Sequence, residues 1–503
     1  MRQGQTMPVS DEPLQRKPAR QYTRRMSDSR PRVGIFGWGI VAPTSPDIDT
    51  FARNLDATES WLAPFNGFGP DNFLVGTPPF DFGVYEGWVS ERFAPRHYRR
   101  LVEKMDYPAL YAVGAFIQAL GQNAGIEQVL QSLGTAAHVY VGSGLGNLHT
   151  IYRESVALHE RQARWDAFWA GRDADLRTYL DELAAIDSAA MDGSVETGKL
   201  HVIREKEKNR TRLQERWNAP DPPWAVSPDL LWNLQNTPAA QISILGRITG
   251  EAFAPAAACS TFGVALHMAM HAIREGRAKA VVVGATDPPP HPLTVGAFYN
   301  ARVLSANRGV SLPLTRLQGT HVSGGAAVWI VGDLDYMEAR GFTPLGMEPV
   351  GVGVTSDAHH IITPSPEGPS AAIAQALTDA GAQAGDIATW DLHATATPGD
   401  YSEVTTLRGI LSDEVLVTAR KGTFGHGMSA GGGWELTAQY LGYARGRLFP
   451  TPLVRDALNE SIARTHTRFV FDHAVDVPSG LGGKLSMGIG GINACIVSRA
   501  FEG

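Results

Sequence analysis

The sequence has few of the features that mark several common classes of protein. It holds two cysteines in 503 residues, which excludes a disulfide framework and is typical of a reducing compartment. It contains no apolar run long enough to cross a membrane and no signal-peptide core. Its formal net charge of -7 argues against general nucleic-acid binding. These absences predict a cytoplasmic protein without a membrane span or a nucleic-acid partner.

The residue pattern also gives little support to a metal or a bound cofactor. His267 and His271 stand four residues apart on a predicted helix, and we interpret them as a satisfied pair rather than as metal ligands. The glycine-rich residues 142–147 lack both a Walker lysine and the full dinucleotide fingerprint. The sequence therefore predicts no metal and no cofactor of its own.

One of the two cysteines stands where a reactive thiol is expected. Cys259 lies in Ala-Ala-Ala-Cys-Ser-Thr-Phe-Gly at residues 256–263, between a predicted strand over 250–258 and a predicted amphipathic helix over 261–274. The free N–H groups and the dipole of a helix N-terminus favour a thiolate and can bind an oxyanion. The alternative is a buried structural cysteine. Cys495, in an apolar strand-like run, is predicted to be a core residue.

Two histidines stand in loops made of small residues. His393 lies in residues 391–398, and His426 lies in residues 421–428. A lone histidine is usually a satisfied polar residue, but small neighbours allow a ligand to approach closely. Like Cys259, His426 is followed by small residues and then by a helix. We interpret this arrangement as a duplicated strand–loop–helix unit whose two loops meet at one site.

Four motifs in order carry a resemblance to a known family. They are Ala-Cys-Ser-Thr at 258–261, His-Ala-Thr-Ala-Thr-Pro at 393–398, Lys-Gly-Thr-Phe-Gly-His at 421–426 and Gly-Ile-Gly-Gly-Ile-Asn at 488–493. The chain resembles the β-ketoacyl-[acyl carrier protein] synthases, condensing enzymes of the thiolase-like superfamily. The resemblance runs from about residue 32 onward. It implies an α/β, thiolase-like fold with duplicated βαβ halves in a layered α-β-α-β-α arrangement.

The resemblance assigns a role to each matching residue. Cys259 would be the nucleophile that accepts the acyl group. His393 and His426 would hold the malonyl thioester and stabilise the enolate that forms when CO2 leaves. Lys421 would support that electrostatic arrangement, and Glu403 matches the structural acid of the family.

Further matches concern the oxyanion hole and the carrier protein. The backbone N–H groups of Cys259 and Ile489 would form the oxyanion hole. Ile489 replaces the gating phenylalanine of the family, which leaves the shape of the acyl pocket open. Arg99, Arg100 and Lys104 match basic residues that contact the acyl carrier protein, although a solvated helix end, in a helix expected to run on to Gly121, explains them equally well.

The chain divides by pattern into a basic tail and two halves. We expect a disordered tail over residues 1–31, an N-terminal half over 32–340 and a C-terminal half over 341–503. A charged insert of about residues 150–224 interrupts the first half, with predicted helices over 151–169, 173–190 and 199–217. It is either a family-specific decoration or a cap over the acyl pocket or a surface for a partner.

The function implied is decarboxylative Claisen condensation in fatty-acid or polyketide synthesis. An acyl thioester, on CoA or on acyl carrier protein, would react with malonyl-acyl carrier protein in an acyltransferase reaction. We expect a homodimer that pairs through residues 250–257, and a heterodimer stays open. The alternatives are a non-condensing partner subunit, like a chain-length factor, and a malonyl decarboxylase. A thiolase is disfavoured because its second catalytic cysteine belongs in a C-terminal glycine loop, whereas Cys495 stands beyond that loop.

The first prediction separates the two cysteines. We expect Cys259→Ala to abolish covalent acyl loading and condensation, because only this thiol stands at a helix start. Cys495→Ala should keep most of the activity and serves as the matched control. Intact-mass analysis after incubation with acyl thioesters measures the loading. A Cys259→Ala protein that still gains an acyl mass would show that the nucleophile is elsewhere.

Overall fold

The computed structural model describes residues 30–68, 73–170, 173–189, 195–217, 220–466 and 468–501. The tail predicted over residues 1–31 lies outside this part of the chain, apart from its last two residues. In the described ranges, no helix combines the length and the apolar character needed to cross a bilayer.

The strands of the described residues form two five-stranded sheets and two short ribbons. In chain order they are β1 (Val33–Val41), β2 (Ala63–Pro64), β3 (Leu74–Val75), β4 (Ala137–Gly142), β5 (Ala252–Phe253), β6 (Ala280–Asp287), β7 (Gly325–Asp333), β8 (Met347–Ser356), β9 (Ile387–Asp391), β10 (Leu416–Thr418), β11 (Arg447–Leu448), β12 (Val475–Asp476), β13 (Leu481–Gly488) and β14 (Ile492–Ala500).

The two large sheets repeat one topology. The first has the order β1-β7-β6-β4-β5, and the second, taken from its matching edge, has the order β8-β14-β13-β9-β10. In each sheet the first two pairings are antiparallel and the last two are parallel. The duplicated halves expected from the sequence are therefore confirmed at the level of strand order and direction.

Helices lie between the sheets and on both outer faces. In chain order they are α1 (Ile48–Asn54), α2 (Glu86–Arg92), α3 (Pro95–Lys104), α4 (Tyr107–Leu120), α5 (Ile126–Ser132), α6 (Leu148–Ala170), α7 (Asp173–Ala189), α8 (Val195–Trp217), α9 (Asp229–Trp232), α10 (Thr237–Gly246), α11 (Thr261–Arg274), α12 (Pro292–Asn300), α13 (Leu334–Glu338), α14 (Glu367–Ala380), α15 (Gly399–Ile410), α16 (Lys421–Phe424), α17 (Met428–Ala444) and α18 (Glu460–Thr465).

The five layers follow from which helices touch which sheet. Helices α11 and α17 contact each other and strands of both sheets, so they form the central layer. Helices α4 and α10 cover the outer face of the first sheet, and α14 covers the outer face of the second. This is the α-β-α-β-α arrangement that the family resemblance implied.

The small residues of α17 allow it to lie at the centre of the molecule. Every residue from Met428 to Gly442 is buried. At Gly433 an added Cβ would lie 2.4 Å from the Cβ of Ala327 and 2.6 Å from a ring carbon of Phe262. Glycine is needed there because α17 approaches both the first sheet and α11 closely. The loops that precede α11 and α17 are thereby brought together.

The strand predicted before Cys259 is shorter than the sequence pattern suggested. The prediction covered residues 250–258, but only Ala252 and Phe253 pair as strand β5. Pro255 has no N–H to donate to a neighbouring strand, and a 3-10 turn begins at Ala258. The chain therefore leaves the sheet early and reaches Cys259 through an irregular segment. The helix predicted after it, over 261–274, is confirmed as α11.

The helix predicted from Arg96 to Gly121 is wrong as a single element. It is broken at Met105 and Asp106 into α3 and α4. Asp106 has an extended backbone, and its carboxylate accepts a hydrogen bond from the N–H of Tyr107 at 2.8 Å, which makes it the N-cap of α4. The apolar periodicity continues across the break, so the pattern alone did not reveal it.

The predicted insert is helical, and helices α6, α7 and α8 occupy it. Aromatic side chains join its parts: Trp169 stacks on Tyr179 of α7, and Trp165 packs edge-on against Trp224 with ring centroids 5.8 Å apart. Just after the insert, Asp229 binds Lys104 of α3 at 2.9 Å. The insert itself is joined to the body of the first half at its start, because the N–H of Thr150 in α6 donates to the carboxylate of Asp106, between α3 and α4, at 3.0 Å.

The second prediction concerns the open edge of the first sheet. Strand β5 is an edge strand, and Phe253 on it is 50% exposed. An apolar edge of this kind is a template for pairing with a second copy. We expect a dimer in solution, and we expect Phe253→Asp to shift it toward the monomer. Light scattering at micromolar concentration measures both; a monomeric wild-type protein would contradict the expectation.

Candidate active site

Cys259 is presented by a tight turn at the start of α11. Ala258, just before it, has φ of 48°, a left-handed conformation that is uncommon for alanine. The hydroxyl of Thr261 holds the turn: it accepts from the N–H of Ala257 at 2.9 Å and donates to the carbonyl of Ala258 at 2.7 Å. The strained residue and its fixed turn aim the Cys259 side chain at a defined point.

The thiol of Cys259 is protonated at neutral pH, contrary to the expectation of a thiolate. Burial raises the pKa of Cys259 to about 11, and this outweighs the lowering by Lys421 and by the N–H groups of Ile489 and of Cys259 itself. The sulfur is removed from water almost completely, since the residue is only 5% exposed. The helix N-terminus does face the sulfur, but it does not compensate for the lost solvation.

Both predicted histidines lie beside this sulfur. The Nε2 atom of His426 is 3.0 Å from the Sγ atom of Cys259. The rings of His393 and His426 have centroids 5.4 Å apart and are nearly perpendicular. Three residues that are 33 to 167 positions apart in the chain thus face one point, as the sequence analysis expected.

Both imidazoles are neutral. Burial, with the nearby charges of Lys421 and Lys484, holds the pKa values of His393 and His426 well below the usual range of histidine. A neutral imidazole carries one N–H and one free lone pair, so it can donate a hydrogen bond or accept a proton. The site therefore provides two donors that carry no charge of their own.

A glycine fixes the approach of His426 to the cysteine. Gly425 has φ of 73°, and a Cβ there would lie 2.3 Å from the hydroxyl oxygen of Ser323. The next residue, His426, donates its backbone N–H to the carbonyl of His321 at 2.6 Å and accepts from the N–H of Ser323 at 2.8 Å. Only glycine allows the loop to turn this close to its neighbour.

Two buried carboxylates hold the loop of His393. Glu403 accepts hydrogen bonds from the N–H groups of His393 at 2.7 Å and of Ala394 at 2.8 Å. Asp400 accepts from the N–H groups of Thr395 at 2.8 Å and of Ala396 at 3.1 Å. Burial raises the pKa of Glu403 to about 7. Glu403 therefore orients the histidine loop through its backbone and does not touch the imidazole.

Lys421 is buried below the two histidines. Its Nζ atom donates to the carbonyl oxygen of His393 and forms an ion pair with Glu435 at 2.6 Å. A buried ion pair of this kind stabilises the fold only while both partners are present, and losing one partner costs about 3–5 kcal/mol. Lys421 contributes positive charge and holds the His393 loop.

Sequence reasoning missed the other members of this buried charged cluster. Arg420 binds Asp391 at 2.9 Å, and Lys484 binds Glu435 at 2.8 Å and Asp391 at 3.6 Å. A signal was present in the sequence. Lys484 is the one charged residue in residues 481–488, and Glu435 is the one charged residue in residues 428–444. Such isolated charges in core elements indicate buried partners.

A second buried carboxylate that the sequence analysis missed joins the two loops. One oxygen of Asp287 accepts from the N–H groups of Gly144 at 3.0 Å and Leu145 at 2.6 Å. The other accepts from the N–H of Ser429, in the first turn of α17, at 2.8 Å. Asp287 thus ties the glycine-rich loop after β4 to the helix that follows His426.

The reacting groups open into a cavity of about 350 Å³. Ile489 lies on the wall of this cavity and is 40% exposed. The residues that line the cavity include Cys259, Phe298, Arg302, Val303, Thr320, His360, Ile362, His393, Thr395, Thr397, His426, Met487, Ile489 and Asn493. The volume suits one extended acyl or thioester group.

The residues expected to contact a carrier protein lie on α3, away from these groups. Arg99 is exposed. Lys104 is paired with Asp229, and the guanidinium of Arg100 lies 5.7 Å from the ring centroid of Trp232. Two of the three side chains are therefore engaged by the segment after the insert, and their role in carrier binding stays a prediction.

The histidine pair on α11 lies outside the cavity. His267 and His271 have ring centroids 4.4 Å apart, and the nearest acid, Glu275, is 3.8 Å from His271. Within the described ranges, no group of three His, Cys, Asp or Glu side chains has the arrangement of a metal site.

A cysteine and two histidines at the loops of a duplicated five-layer α/β body define a thiolase-like condensing enzyme. Two protein-family models match the chain: "Beta-ketoacyl synthase, N-terminal domain" over residues 182–335 and "Beta-ketoacyl synthase, C-terminal domain" over residues 348–454. The chain belongs to the β-ketoacyl synthase family.

Individual relatives agree over almost the whole chain. A chloroplastic 3-oxoacyl-[acyl-carrier-protein] synthase I of Hordeum vulgare is 25% identical over 490 residues, which cover 95% of this chain and 91% of the relative. A 3-oxoacyl-[acyl-carrier-protein] synthase 2 of Vibrio cholerae is 27% identical over 422 residues, covering 81% and 84%. The solved ishigamide ketosynthase/chain length factor has a TM-score of 0.72 at 20% identity, covering 94% of this chain and 100% of that one.

The third prediction follows from the raised pKa of Cys259. In a Cys495→Ala background, we expect the rate of Cys259 alkylation by iodoacetamide to rise with pH through pH 9 without a plateau, because the thiolate fraction keeps growing below a pKa of about 11. The rate is measured by mass spectrometry of samples quenched at successive times. A plateau reached below pH 8 would instead show a preformed thiolate–imidazolium pair.

Proposed function

We propose that this β-ketoacyl synthase catalyses decarboxylative Claisen condensation, with the acyl group held on Cys259. The observation that carries the proposal is the meeting of one thiol and two neutral imidazoles in a single buried cavity. The sulfur is 3.0 Å from His426, and His393 faces the same space. This arrangement provides a nucleophile, a proton acceptor and donors for a developing anion.

Loading begins with a protonated thiol. As Cys259 attacks the thioester carbonyl, its proton passes to the Nε2 atom of His426, which is placed to accept it. The carbonyl oxygen becomes an oxyanion, and we assign its stabilisation to the N–H groups of Cys259 and Ile489, which also lower the pKa of the Cys259 thiol. Collapse of this intermediate breaks the bond to the leaving thiolate, which takes the proton back from His426. The site is then acylated and neutral again.

Decarboxylation uses the same two histidines in a second role. Loading leaves the Nε2 atom of His426 without a proton, so His426 first takes the tautomer that carries its proton on Nε2. The carbonyl oxygen of the malonyl thioester then accepts N–H hydrogen bonds from His393 and His426. The bond to the carboxylate breaks, CO2 leaves, and its electron pair forms an enolate whose negative oxygen those donors stabilise. The enolate carbon attacks the acyl carbonyl on Cys259, and the cysteine leaves as a thiolate with the electron pair of its C–S bond. The thiolate then takes one proton from solvent, which is the proton that the overall reaction consumes. The product is a β-ketoacyl thioester.

The substrates are proposed to arrive on a phosphopantetheine arm. The relatives from Hordeum vulgare and Vibrio cholerae bear names that specify acyl carrier protein, which supports malonyl-acyl carrier protein as the extender and acyl-CoA or acyl-acyl carrier protein as the primer. The enzyme would need no cofactor of its own. We propose a homodimer in a reducing compartment such as the cytoplasm, because Cys259 and Cys495 are both free thiols.

Two other functions fit the same fold less well. A chain-length-factor-like subunit would not need a nucleophile, whereas Cys259 and both histidines are present and close together. A malonyl decarboxylase would use the histidines without the cysteine, so the fate of an acyl-enzyme distinguishes it. A thiolase would need a second reactive thiol, but Cys495 is fully buried in β14, where it pairs with Leu485 and Gly353.

The fourth prediction separates the work of the histidines from that of the cysteine. We expect His393→Ala to load acyl groups on Cys259 but to release CO2 from malonyl carrier protein about 10²–10³-fold more slowly, as for the loss of one oxyanion donor. His426→Ala should show the same defect with some loss of loading, because His426 alone touches the sulfur. Acyl mass shift and labelled CO2 release are measured on each variant.

The opposite pattern would reverse the assignment. Loading lost while decarboxylation stays normal would make the histidines bases for the thiol, as in an ordinary cysteine–histidine acyltransferase. Cys495→Ala, measured in parallel, controls for general effects of substitution in the core.

A further inference from the structure

Lys484 is a charged residue at the centre of a core strand. It lies midway along β13, between Gly483 and Leu485, and is 1% exposed. Taking an ammonium group out of water is costly unless carboxylates and other acceptors surround it. The groups that accept hydrogen bonds from Lys484 therefore indicate its role in the structure.

The acceptors include groups that also position the active-site histidines. The Nζ atom of Lys484 is 2.8 Å from Glu435 of α17 and 3.6 Å from Asp391 of β9. It also donates to the carbonyl oxygens of Leu392 at 3.3 Å and Leu485 at 2.6 Å. Leu392 immediately precedes His393, so Lys484 holds the backbone from which that histidine projects.

Lys484 and Lys421 act on the same two features. Lys421 binds one oxygen of Glu435 and Lys484 binds the other. Lys421 donates to the carbonyl of His393, and Lys484 donates to the carbonyl one residue earlier. The two lysines, which share Glu435, thus donate hydrogen bonds to the consecutive carbonyls of Leu392 and His393.

The ion pairs of this cluster place three cations beside two carboxylates. Arg420, Lys421 and Lys484 are paired with Asp391 and Glu435. Glu403 also acts on Lys484 through its charge, although its oxygens bind backbone N–H groups. Removing Lys484 therefore makes the cluster one charge less positive. This charge acts on His393 and His426, beside which the enolate oxygen would become negative.

We propose that Lys484 is a positioning residue of the condensation step: it fixes the His393 loop together with Lys421 and provides the positive charge that favours the enolate. The inference rests on the proposed function and deepens it, because it adds a second lysine to the site. Lys484 does not line the cavity and touches no reacting atom.

The charge state of Lys484 and its effect on the histidines agree with this role. Burial would lower the pKa of Lys484, but Glu435 and Asp391 outweigh it and raise the pKa above the usual value for lysine. Lys484 is also one of the charges that, with burial and Lys421, lower the pKa of His393 and His426. It therefore stays protonated and helps to keep both imidazoles neutral.

The test compares two steps in three variants. We expect Lys484→Met to load acyl groups on Cys259 at nearly the wild-type rate but to decarboxylate malonyl carrier protein on the order of tenfold more slowly, the effect of one nearby buried charge. Lys279→Met, which removes a lysine from an ion pair with Asp333 far from the site, is the matched control and should change neither step. Thermal unfolding of each variant is recorded in parallel.

A charge-restoring double variant distinguishes electrostatics from simple damage to the core. Lys484→Met with Glu435→Gln again has the net charge of the wild-type cluster, so its decarboxylation should recover toward the wild-type rate. A double variant no faster than Lys484→Met, or a Lys484→Met protein with normal decarboxylation, would overturn the proposal. If Lys484→Met does not fold, Lys484→Gln, which keeps a donor without the charge, replaces it in the same comparison.

Failure of this inference differs from failure of the proposed function. If wild-type protein neither loads an acyl group nor releases CO2, the proposed condensation is wrong. If wild-type does both and the Lys484 variants match it, only the role of Lys484 is wrong.

Discussion

Removal of water from the reaction cavity is the constraint on which the rest of the site depends. It raises the pKa of Cys259 and lowers the pKa values of His393 and His426, so all three groups are neutral at rest. Neutral groups can be buried at little cost, and they respond strongly when charge appears among them. The charged groups Lys421 and Lys484 are also buried, and they are paired with carboxylates.

This arrangement explains why the fold is a duplication. In each half the parallel strands lie at the matching edge of the sheet. Each half also contributes one central helix, α11 or α17, that lies between the two sheets. The loops before those helices carry Cys259 and His426. The pseudo-symmetric packing of α11 against α17 therefore brings the two side chains within 3.0 Å without any direct connection in sequence.

The sequence revealed the reacting residues because they stand in short motifs with a fixed order. It did not reveal Asp287 or Lys484, because their partners are up to 144 positions away and no local pattern predicts them. The pKa of Cys259 was misjudged for a related reason: the helix N-terminus is a local feature, whereas burial comes from the packing of both halves. The early end of strand β5 and the break at Asp106 were missed, because proline and a side-chain cap overrode the periodicity there.

The buried charged residues near the active site come from several elements of the fold. The second sheet supplies Asp391 and Lys484, and the central helix α17 supplies Glu435. The segment before α17 supplies Lys421, in α16, and His426. All of these residues belong to the C-terminal half, whereas Cys259 belongs to the N-terminal half. A condensing site of this kind cannot form in either half alone.

The most direct test of the account is a single-turnover chase of the acyl-enzyme. Protein loaded with one labelled acyl group is mapped by peptide mass spectrometry and then mixed with malonyl carrier protein. The account predicts that the label sits on Cys259, persists without malonyl substrate, and moves stoichiometrically into a β-ketoacyl product as CO2 is released. Label on another residue, or label lost as free acid regardless of malonyl substrate, would contradict it.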